Sequence, residues 1–261
     1  MIELRHVSYS YGSLPVIRDI TLTIKEGESV AIIGSNAAGK STLARLLNAL
    51  ILPDEGQCLV DGRSTKDVVY FARKTVGMVF QNPEDQIVSK HVLDDIAFGL
   101  LNLGFTAEEA MVRANETLGV LGIDHLSRRS THGLSGGQKQ LIAIAGVLAM
   151  RPRYIILDEP TALLDGDGAR LVHTAIEDLK KNGISIILIT HDMEEALLAD
   201  RIILLCSGKV LAQGTPEEVF SRESLLSQSG VEAPFSLQLR NALRKKGLAD
   251  VQVVKSPCQS R

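Results

Sequence analysis

A glycine-rich segment at residues 34–42 constrains the fold of this chain more than any other stretch. It reads GSNAAGKST and fits the pattern G-x-x-x-x-G-K-[ST]. A short apolar run at 29–33 precedes it, and leucines at 43, 46, 47 and 50 follow at helical spacing. Phosphate-binding loops occur in this context of strand, glycine loop and helix. The segment therefore predicts a buried strand, a phosphate loop and a helix in series.

The residue types of this loop match what the phosphates of a nucleotide require. Gly34 and Gly39 allow the backbone to curl so that successive N–H groups converge, and the following helix adds roughly half a positive charge. Lys40 can reach the outer phosphates, and the Ser41 hydroxyl is a ligand for Mg²⁺. The predicted nucleotide-binding residues are Gly34, Ser35, Asn36, Ala37, Ala38, Gly39, Lys40, Ser41 and Thr42.

Composition excludes several classes of protein. A net charge of −3 gives no basic surplus, so nucleic acid is not an expected partner. The cysteines at 58, 206 and 258 are scattered, which argues against a disulfide framework or a zinc site. The N-terminus has no apolar signal region, and the longest uncharged apolar run, 141–150, is far short of the roughly 20 residues that cross a bilayer. A cytosolic or peripheral protein is expected.

The remaining chain alternates strands and helices, which predicts a doubly wound α/β fold. Residues 8–13 (SYSYGS) are interpreted as a turn-rich segment, and residues 83–150 as an inserted helical section. Capping boxes are predicted at Thr106/Glu109 and at Ser135/Gln138. Strands are predicted at 2–7, 21–24, 57–60, 75–80, 154–157, 184–189, 201–205 and 209–212, the last two as a hairpin.

Polar residues follow three of these strands, where open α/β sheets bind ligands. Gln81 follows the strand at 75–80, Asp158 and Glu159 end the strand at 154–157, and His191 follows the strand at 184–189. Beyond Gly214, a capping box begins at Thr215, and a helix is predicted from Ser236 to a C-cap at Gly247.

Five elements in a fixed order give a family resemblance: the loop at 34–42, Gln81, LSGGQ at 134–138, Asp158-Glu159, and His191. They resemble the nucleotide-binding subunit of an ATP-binding cassette (ABC) transporter, and LSGGQ is the discriminating motif. The resemblance implies ATP and Mg²⁺ as cofactors and a P-loop NTPase core with an N-terminal antiparallel β-subdomain. The cassette would cover residues 1–220, with the helical subdomain at about 83–150, and residues 221–261 would form a short C-terminal helical tail.

The resemblance also implies a role for each motif residue in ATP hydrolysis. Lys40 and the loop amides would hold the β- and γ-phosphates, while Ser41 and Asp158, the latter through water, would hold Mg²⁺. Gln81 would contact Mg²⁺ or the attacking water and report occupancy to a membrane partner. Glu159 would polarise that water as general base.

Further family roles concern the purine and the γ-phosphate. His191 would reach the γ-phosphate, and Tyr11 matches the aromatic residue that stacks on adenine. Ser135 and the amides of Gly136 and Gly137, within the motif that ends at Gln138, would bind the γ-phosphate held by a second ABC ATPase subunit in a head-to-tail dimer. Asp165 would cross the interface of that dimer.

Residues 81–100, 143–152 and 233–243 are similar to the energy-coupling factor importers, including the cobalt-transport CbiO type. That similarity implies a homodimer or heterodimer, joined partly through the tail, peripheral to the cytoplasmic face of the membrane. A transmembrane coupling protein and a substrate-binding membrane subunit would be its partners, and a vitamin or a transition-metal ion such as cobalt or nickel the cargo. The tail could instead only cover its own subunit.

Three departures from the family pattern leave alternatives open. Alanine replaces glycine at 37, which costs about 1 kcal/mol if φ there is positive; leucine replaces arginine at 141, a loss of charge that could weaken the subunit contact, and alanine replaces serine at 162. A non-hydrolysing nucleotide-binding module is one alternative, which the intact Lys40, Asp158, Glu159 and His191 argue against. A soluble ABC-type ATPase acting on DNA or ribosomes is another, which the single cassette without a basic arm argues against.

Overall fold

The computed structural model describes residues 1–245, which form two β-sheets and a layer of helices. Short 3-10 helices lie at Pro83–Asp85, Asp124–Leu126 and Thr131–Gly133. The longer elements, in chain order, are β1 (Ile2–Tyr11), β2 (Leu14–Ile24), β3 (Ser29–Ile33), α1 (Lys40–Leu47), β4 (Glu55–Val60), β5 (Arg63–Ser64), α2 (Val69–Thr75), β6 (Val76–Val79), α3 (Val92–Asn102), α4 (Ala107–Val120), α5 (Gly136–Ala149), β7 (Tyr154–Asp158), α6 (Gly166–Lys181), β8 (Ser185–Ile189), α7 (Met193–Ala196), β9 (Arg201–Cys206), β10 (Lys209–Gly214), α8 (Pro216–Phe220), α9 (Glu223–Ser229) and α10 (Phe235–Lys245).

The N-terminal sheet is antiparallel, with strand order β2-β1-β4-β5. The turn predicted over residues 8–13 is wrong in its first half, because β1 continues to Tyr11. Tyr9 pairs with Ile17 and Tyr11 pairs with Leu14, so that only residues 12–13 are left to turn the chain. Cross-strand pairing with β2 outweighs the serine-rich local sequence.

The second sheet has strand order β10-β9-β3-β8-β7-β6, and β10 alone among these strands is antiparallel to its neighbour. The carboxyl ends of β3, β6, β7 and β8 therefore lie along one edge, and the polar motif residues follow these four ends. The α/β prediction is confirmed. The predicted hairpin of β9 and β10 is confirmed as well, with Ser207 and Gly208 at positive φ in its turn.

Helix α1 follows the glycine loop and packs Leu43, Leu46 and Leu47 into the core between the sheets. The assignment of Leu50 to this apolar face is wrong, because α1 ends at Leu47 and Leu50 is 39% exposed. The predicted helical section consists of α3, α4 and α5, and both predicted capping boxes are present. Within residues 1–245 no helix is long and apolar enough to cross a membrane.

Helices α8 and α9 pack against β9 and β10 of the second sheet, and α10 joins the same apolar cluster through Leu237. Helix α9 was not predicted, whereas the capping box that begins α8 at Thr215 is confirmed. Leu226, Val231 and Leu237 are buried in one cluster with Ile33 and Leu204 of the sheet. The C-cap predicted at Gly247 lies outside the described residues. These helices are therefore packed on their own subunit.

Candidate active site

The glycine loop between β3 and α1 adopts a backbone that few residue types tolerate. Gly34 has φ 155°, Ala37 has φ 63° and Gly39 has φ 101°. A Cβ atom on Gly34 would lie 2.3 Å from the carbonyl oxygen of Leu205, so only glycine fits there. The positive φ at Ala37 meets the condition under which alanine adds about 1 kcal/mol of strain. Glycine therefore occupies two of the three loop positions at which φ is positive.

Lys40 lies in the first turn of α1, and its side chain is bound back across the loop. Its Nζ donates to the carbonyl oxygens of Gly34, at 2.9 Å, and Ser35, at 3.0 Å. Burial lowers the pKa of Lys40, and the carboxylates of Glu159 and Asp158 act in the opposite direction. A buried amine next to a helix N-terminus gives this loop a concentrated positive potential, which suits phosphate groups.

Ser41 and Asp158 meet across the sheet edge, although 117 positions separate them in the chain. The Ser41 hydroxyl donates to Asp158 Oδ1 at 3.1 Å. Burial raises the pKa of Asp158, while the hydrogen bond from Ser41 lowers it. A hydroxyl beside a buried carboxylate is a donor set that fits Mg²⁺, because a bound dication would compensate the buried negative charge.

Glu159 is the meeting point of three strand ends. Gln81 Nε2 donates to Glu159 Oε2 at 3.1 Å, and His191 Nδ1 lies 3.2 Å from the same oxygen. The backbone N–H of Glu159 donates to the carbonyl of Ile189 at 2.9 Å. Glu159 itself has φ 48°, a left-handed conformation that is strained for a glutamate and is found most often at functional sites. The structure thus brings together the three polar residues that the sequence placed at separate strand ends.

Contacts from α5 hold the residue before Gln81. Phe80 donates its N–H to Gln86 Oε1 at 3.1 Å and accepts from Gln140 Nε2 at 3.2 Å. Gln86 in turn donates to the Ala143 carbonyl at 3.2 Å. Because Gln140 and Ala143 belong to α5, the segment that carries Gln81 is tied to the helix that begins with the signature motif. Sequence analysis missed these two glutamines, since an amide between apolar residues gives no signal of its partner.

Tyr11 lies at the end of β1, close to α1. Its ring stands perpendicular to that of Tyr9 with centroids 5.0 Å apart, and its hydroxyl accepts from Arg45 Nη1 at 3.4 Å. Tyr11 remains 44% exposed. An aromatic ring that is anchored at its hydroxyl and open to solvent can offer a face to a planar base.

The signature residues Ser135–Gln138 and Asp165 begin two neighbouring helices. Ser135 Oγ accepts from the Gln138 N–H at 3.3 Å, and Asp165 Oδ1 accepts from the Gly168 N–H at 2.8 Å. A Cβ on Gly137 would lie 2.6 Å from the Cα of Gly168, so the close contact of α5 with α6 requires glycine there. Gly136 is exposed. Within residues 1–245, no hydrogen bond of Ser135, Gln138 or Asp165 reaches the phosphate-binding loop.

Leu141, where a charge was expected by family pattern, lies two turns into α5. It is 3% exposed and belongs to the apolar cluster of the helical layer. Leu141 therefore packs in the core of the helical layer, where it contributes apolar contacts and no charge.

Comparisons with known proteins bear on the family of this chain. Residues 17–162, more than half of the chain, match the model of the family described as ABC transporter. The "Energy-coupling factor transporter ATP-binding protein EcfA1" of Halalkalibacterium halodurans is 45% identical over 249 residues, which are 94% of this chain and 90% of that protein.

Two solved structures are also similar. One is cbiO1 from Clostridium perfringens, described as part of the ABC transporter complex cbiONQ, with a TM-score of 0.78, 34% identity and coverage of 94% of this chain and 96% of that one. The other is a dimeric ATP-binding cassette in a post-hydrolysis state, bound to ADP and Pi. It has a TM-score of 0.73 and 30% identity, and the match covers 82% of this chain and 98% of that one.

Proposed function

This chain belongs to the ABC transporter family and is one of its ATPases, and we propose that it hydrolyses ATP to power a micronutrient importer of the energy-coupling factor type. The convergence of Gln81 and His191 on the Glu159 carboxylate, beside the Ser41–Asp158 pair and Lys40, is the observation that carries the hydrolytic part of this proposal. The 45% identity with an energy-coupling factor ATP-binding protein supports the importer part.

In the proposed reaction Glu159, Gln81 and His191 act from the positions that they have in the structure. Glu159 accepts the proton of the attacking water, and the Gln81 amide orients both the carboxylate and that water. His191 contacts Glu159 through Nδ1, and as an imidazolium, in which both ring nitrogens carry a proton, it donates from Nε2 to a γ-phosphate oxygen. Lys40 exchanges its bonds to the loop carbonyls for bonds to the β- and γ-phosphates. Mg²⁺ held by Ser41 and Asp158 would supply charge neutralisation between these phosphates.

The purine and the second subunit complete the proposed site. Tyr11 stacks on adenine through its exposed face. Ser135, Gly136 and Gly137 bind the γ-phosphate that a second ABC ATPase subunit holds, with Asp165 at the interface between them. The arrangement of the single chain supports this head-to-tail dimer, because the phosphate loop and the signature residues are two separate half-sites. The second subunit is a copy of this chain or a related ATPase.

The remaining partners lie in the membrane. We propose that the ATPase pair binds to the cytoplasmic side of a transmembrane coupling protein, which engages a small substrate-binding membrane subunit. A vitamin or a transition-metal ion such as cobalt or nickel is the proposed cargo, as the similarity of residues 81–100, 143–152 and 233–243 to the energy-coupling factor importers implies. Nucleic acid has no place in this proposal.

The test is an affinity pull-down of the tagged protein from detergent-solubilised native membranes, with untagged cells as the control and mass spectrometry as the readout. Co-purification of a multi-span protein with a small membrane subunit is the expected result, and the small subunit would indicate the cargo. Recovery with ribosomes or DNA-repair proteins and no membrane protein would contradict the proposal in favour of a soluble ABC-type ATPase.

A further inference from the structure

A buried carboxylate lies directly behind the Glu159–His191 pair. Glu195, on the short helix α7, is 4% exposed, and its two oxygens accept hydrogen bonds from three elements. Oε2 accepts from the Thr190 hydroxyl at 2.6 Å, while Oε1 accepts from the Thr161 hydroxyl and lies 2.6 Å from His173 Nε2. Sequence analysis missed this residue, because Glu194 and Glu195 look alike in the sequence and only one of them is buried.

The partners of Glu195 are next to the proposed catalytic residues along the chain. Thr161 follows Glu159 by two positions, and Thr190 immediately precedes His191. The Thr190 hydroxyl also accepts from the Asp192 N–H at 2.9 Å, so it sets the backbone on both sides of His191. One carboxylate therefore joins the loop after β7 to the loop after β8, and the side chains of those two loops meet at 3.2 Å.

One cavity borders both groups. It has a volume of about 230 Å³, and Glu159, His191, Glu195 and His173 are among the residues that line it. The proposed reaction site and the Glu195 cluster are therefore neighbours around one cavity.

The charge of this carboxylate is compensated within the cluster. Burial acts to raise the pKa of Glu195, but the hydrogen bonds from His173, Thr161 and Thr190 outweigh it and lower the pKa. The hydrogen bond to Glu195 raises the pKa of His173 against the effect of burial. His173 lies on α6, two turns after Asp165, the residue proposed to face the second subunit.

We infer that Glu195 is a positioning residue for ATP hydrolysis, which holds Glu159 and His191 in register through Thr161 and Thr190 and is itself held by His173. This inference rests on the proposed roles of Glu159 and His191. Glu195 touches neither nucleotide nor water in this scheme. Its effect is on the geometry of Glu159 and His191, which do contact them.

Substitutions at Thr190 separate positioning from folding. Thr190→Val removes the hydroxyl at nearly constant shape in a buried position, whereas Thr190→Ser keeps the hydroxyl. Because misplacing reacting groups by about 1 Å can cost on the order of a hundredfold in rate, we expect kcat to fall by about ten- to a hundredfold in Thr190→Val. KM for ATP should stay within about twofold, and Thr190→Ser should keep most of kcat, because neither change touches the phosphate-binding loop.

A second pair guards against a folding defect at the buried threonine. The side chain of His173 is 35% exposed, so substitution there is tolerated more easily. His173→Gln keeps a donor near the position of Nε2 and should retain hydrolysis, whereas His173→Leu removes it and should lower kcat at unchanged KM. The melting temperature of every variant is measured alongside.

Glu159→Gln and His191→Ala, assayed in parallel, show whether the underlying roles hold. If both are inactive while Thr190→Val and His173→Leu turn over like the native protein, the positioning inference is overturned and the proposed function stands. It is likewise overturned if kcat falls equally in the hydroxyl-keeping and hydroxyl-removing variants, in step with the melting temperature. Native-rate activity in Glu159→Gln would instead contradict the role proposed for Glu159, and the positioning inference that rests on that role would fall with it.

Discussion

The phosphate-binding loop and the signature segment both place glycines at the start of a helix, but the two helices differ in how the free N–H groups of their first turn are bonded. The N-cap residue of α1 is Gly39, which has a left-handed conformation, and no side chain among the described residues caps this helix. The N-cap residue of α5 is Ser135, whose side chain and that of Gln138 form a reciprocal capping box. The N–H groups of the first turn of α1 therefore have no side-chain acceptor and can bind an anion, whereas in α5 the N–H of Gln138 already donates to Ser135 Oγ.

The signature serine nevertheless retains one hydrogen-bonding function. A hydroxyl both donates and accepts, and Ser135 Oγ accepts from Gln138. In the capping box of α4, by contrast, the Thr106 hydroxyl also donates to Glu109 Oε2 at 2.8 Å. The described contacts give the Ser135 hydroxyl no such acceptor, so it can donate to a phosphate brought by another subunit. One half-site is thus assembled within the chain, and the other is capped but incomplete.

Glu159→Gln tests the half-site that the chain assembles by itself. The amide cannot take a proton from water, so kcat should fall by about a hundredfold or more, while ATP still binds and an ATP-dependent dimer accumulates. Phosphate release and sedimentation measure the two effects. Glu194→Gln is the matched control: Glu194 is the exposed neighbour of Glu195 on α7 and accepts from Ser236, so the same change there should leave turnover intact.

Hydrolysis at the native rate in Glu159→Gln would remove this residue from the role of general base. The chain would then have a phosphate-binding loop without an adjacent general base.

Ser135→Asp tests the half-site that needs a second chain. Aspartate caps a helix about as well as serine, so the melting temperature should stay close to that of the native protein. The added charge would face the partner's γ-phosphate, and such like-charge contacts cost several kcal/mol. We expect ATP-dependent dimerisation and hydrolysis to fall by at least about tenfold.

Thr106→Asp, in the α4 capping box, is the control for this experiment and should retain full hydrolysis. If Ser135→Asp also turns over normally, the signature segment of this chain is only a helix cap.

Local signals in the sequence were sufficient wherever neighbouring residues decide the structure. The capping boxes at Thr106, Ser135 and Thr215 were predicted because each depends on residues three positions apart. The edge at which the polar residues meet also followed from the predicted α/β fold, because parallel strands end on the same side. The order of the strands was not predicted.

Contacts between distant segments were not accessible in the same way. Tyr9 and Tyr11 were assigned to a turn, although pairing with β2 extends the strand through them. The link from Glu195 to Thr161 spans 34 positions, and nothing local distinguishes Glu195 from Glu194. The left-handed Glu159 donates its N–H to Ile189 at the end of β8, 30 positions further along the chain. Such features depend on the assembled sheet.

Phe235→Ser tests whether α10 recruits the second chain. Phe235 is 74% exposed in the single chain, so the substitution should not affect its stability. If a partner covers the ring, losing about 1.5–3 kcal/mol of burial would raise the dimer dissociation constant by about tenfold or more. Val112→Ser, on the exposed face of α4, is the control. Unchanged sedimentation of Phe235→Ser would contradict a dimer role for α10; deletion of residues 221–261 is less informative because it also removes the buried Leu226 and Val231.

Ala37→Gly has the smallest expected effect, and its size follows from two opposing contributions. Glycine relieves about 1 kcal/mol of left-handed strain at φ 63°, but its freer unfolded chain costs about 0.5–1 kcal/mol. Ala37 is exposed, so little burial is lost, and the free energy of unfolding should change by less than about 1 kcal/mol. Ala38→Gly is the control: Ala38 is 2% exposed and has no positive φ to relieve, so the cost of the freer unfolded chain and the loss of a buried methyl group both remain with nothing to offset them. A large loss of stability or of ATP affinity in Ala37→Gly would mean that the alanine methyl group stabilises the loop, and that the phosphate half-site depends on more than its glycines.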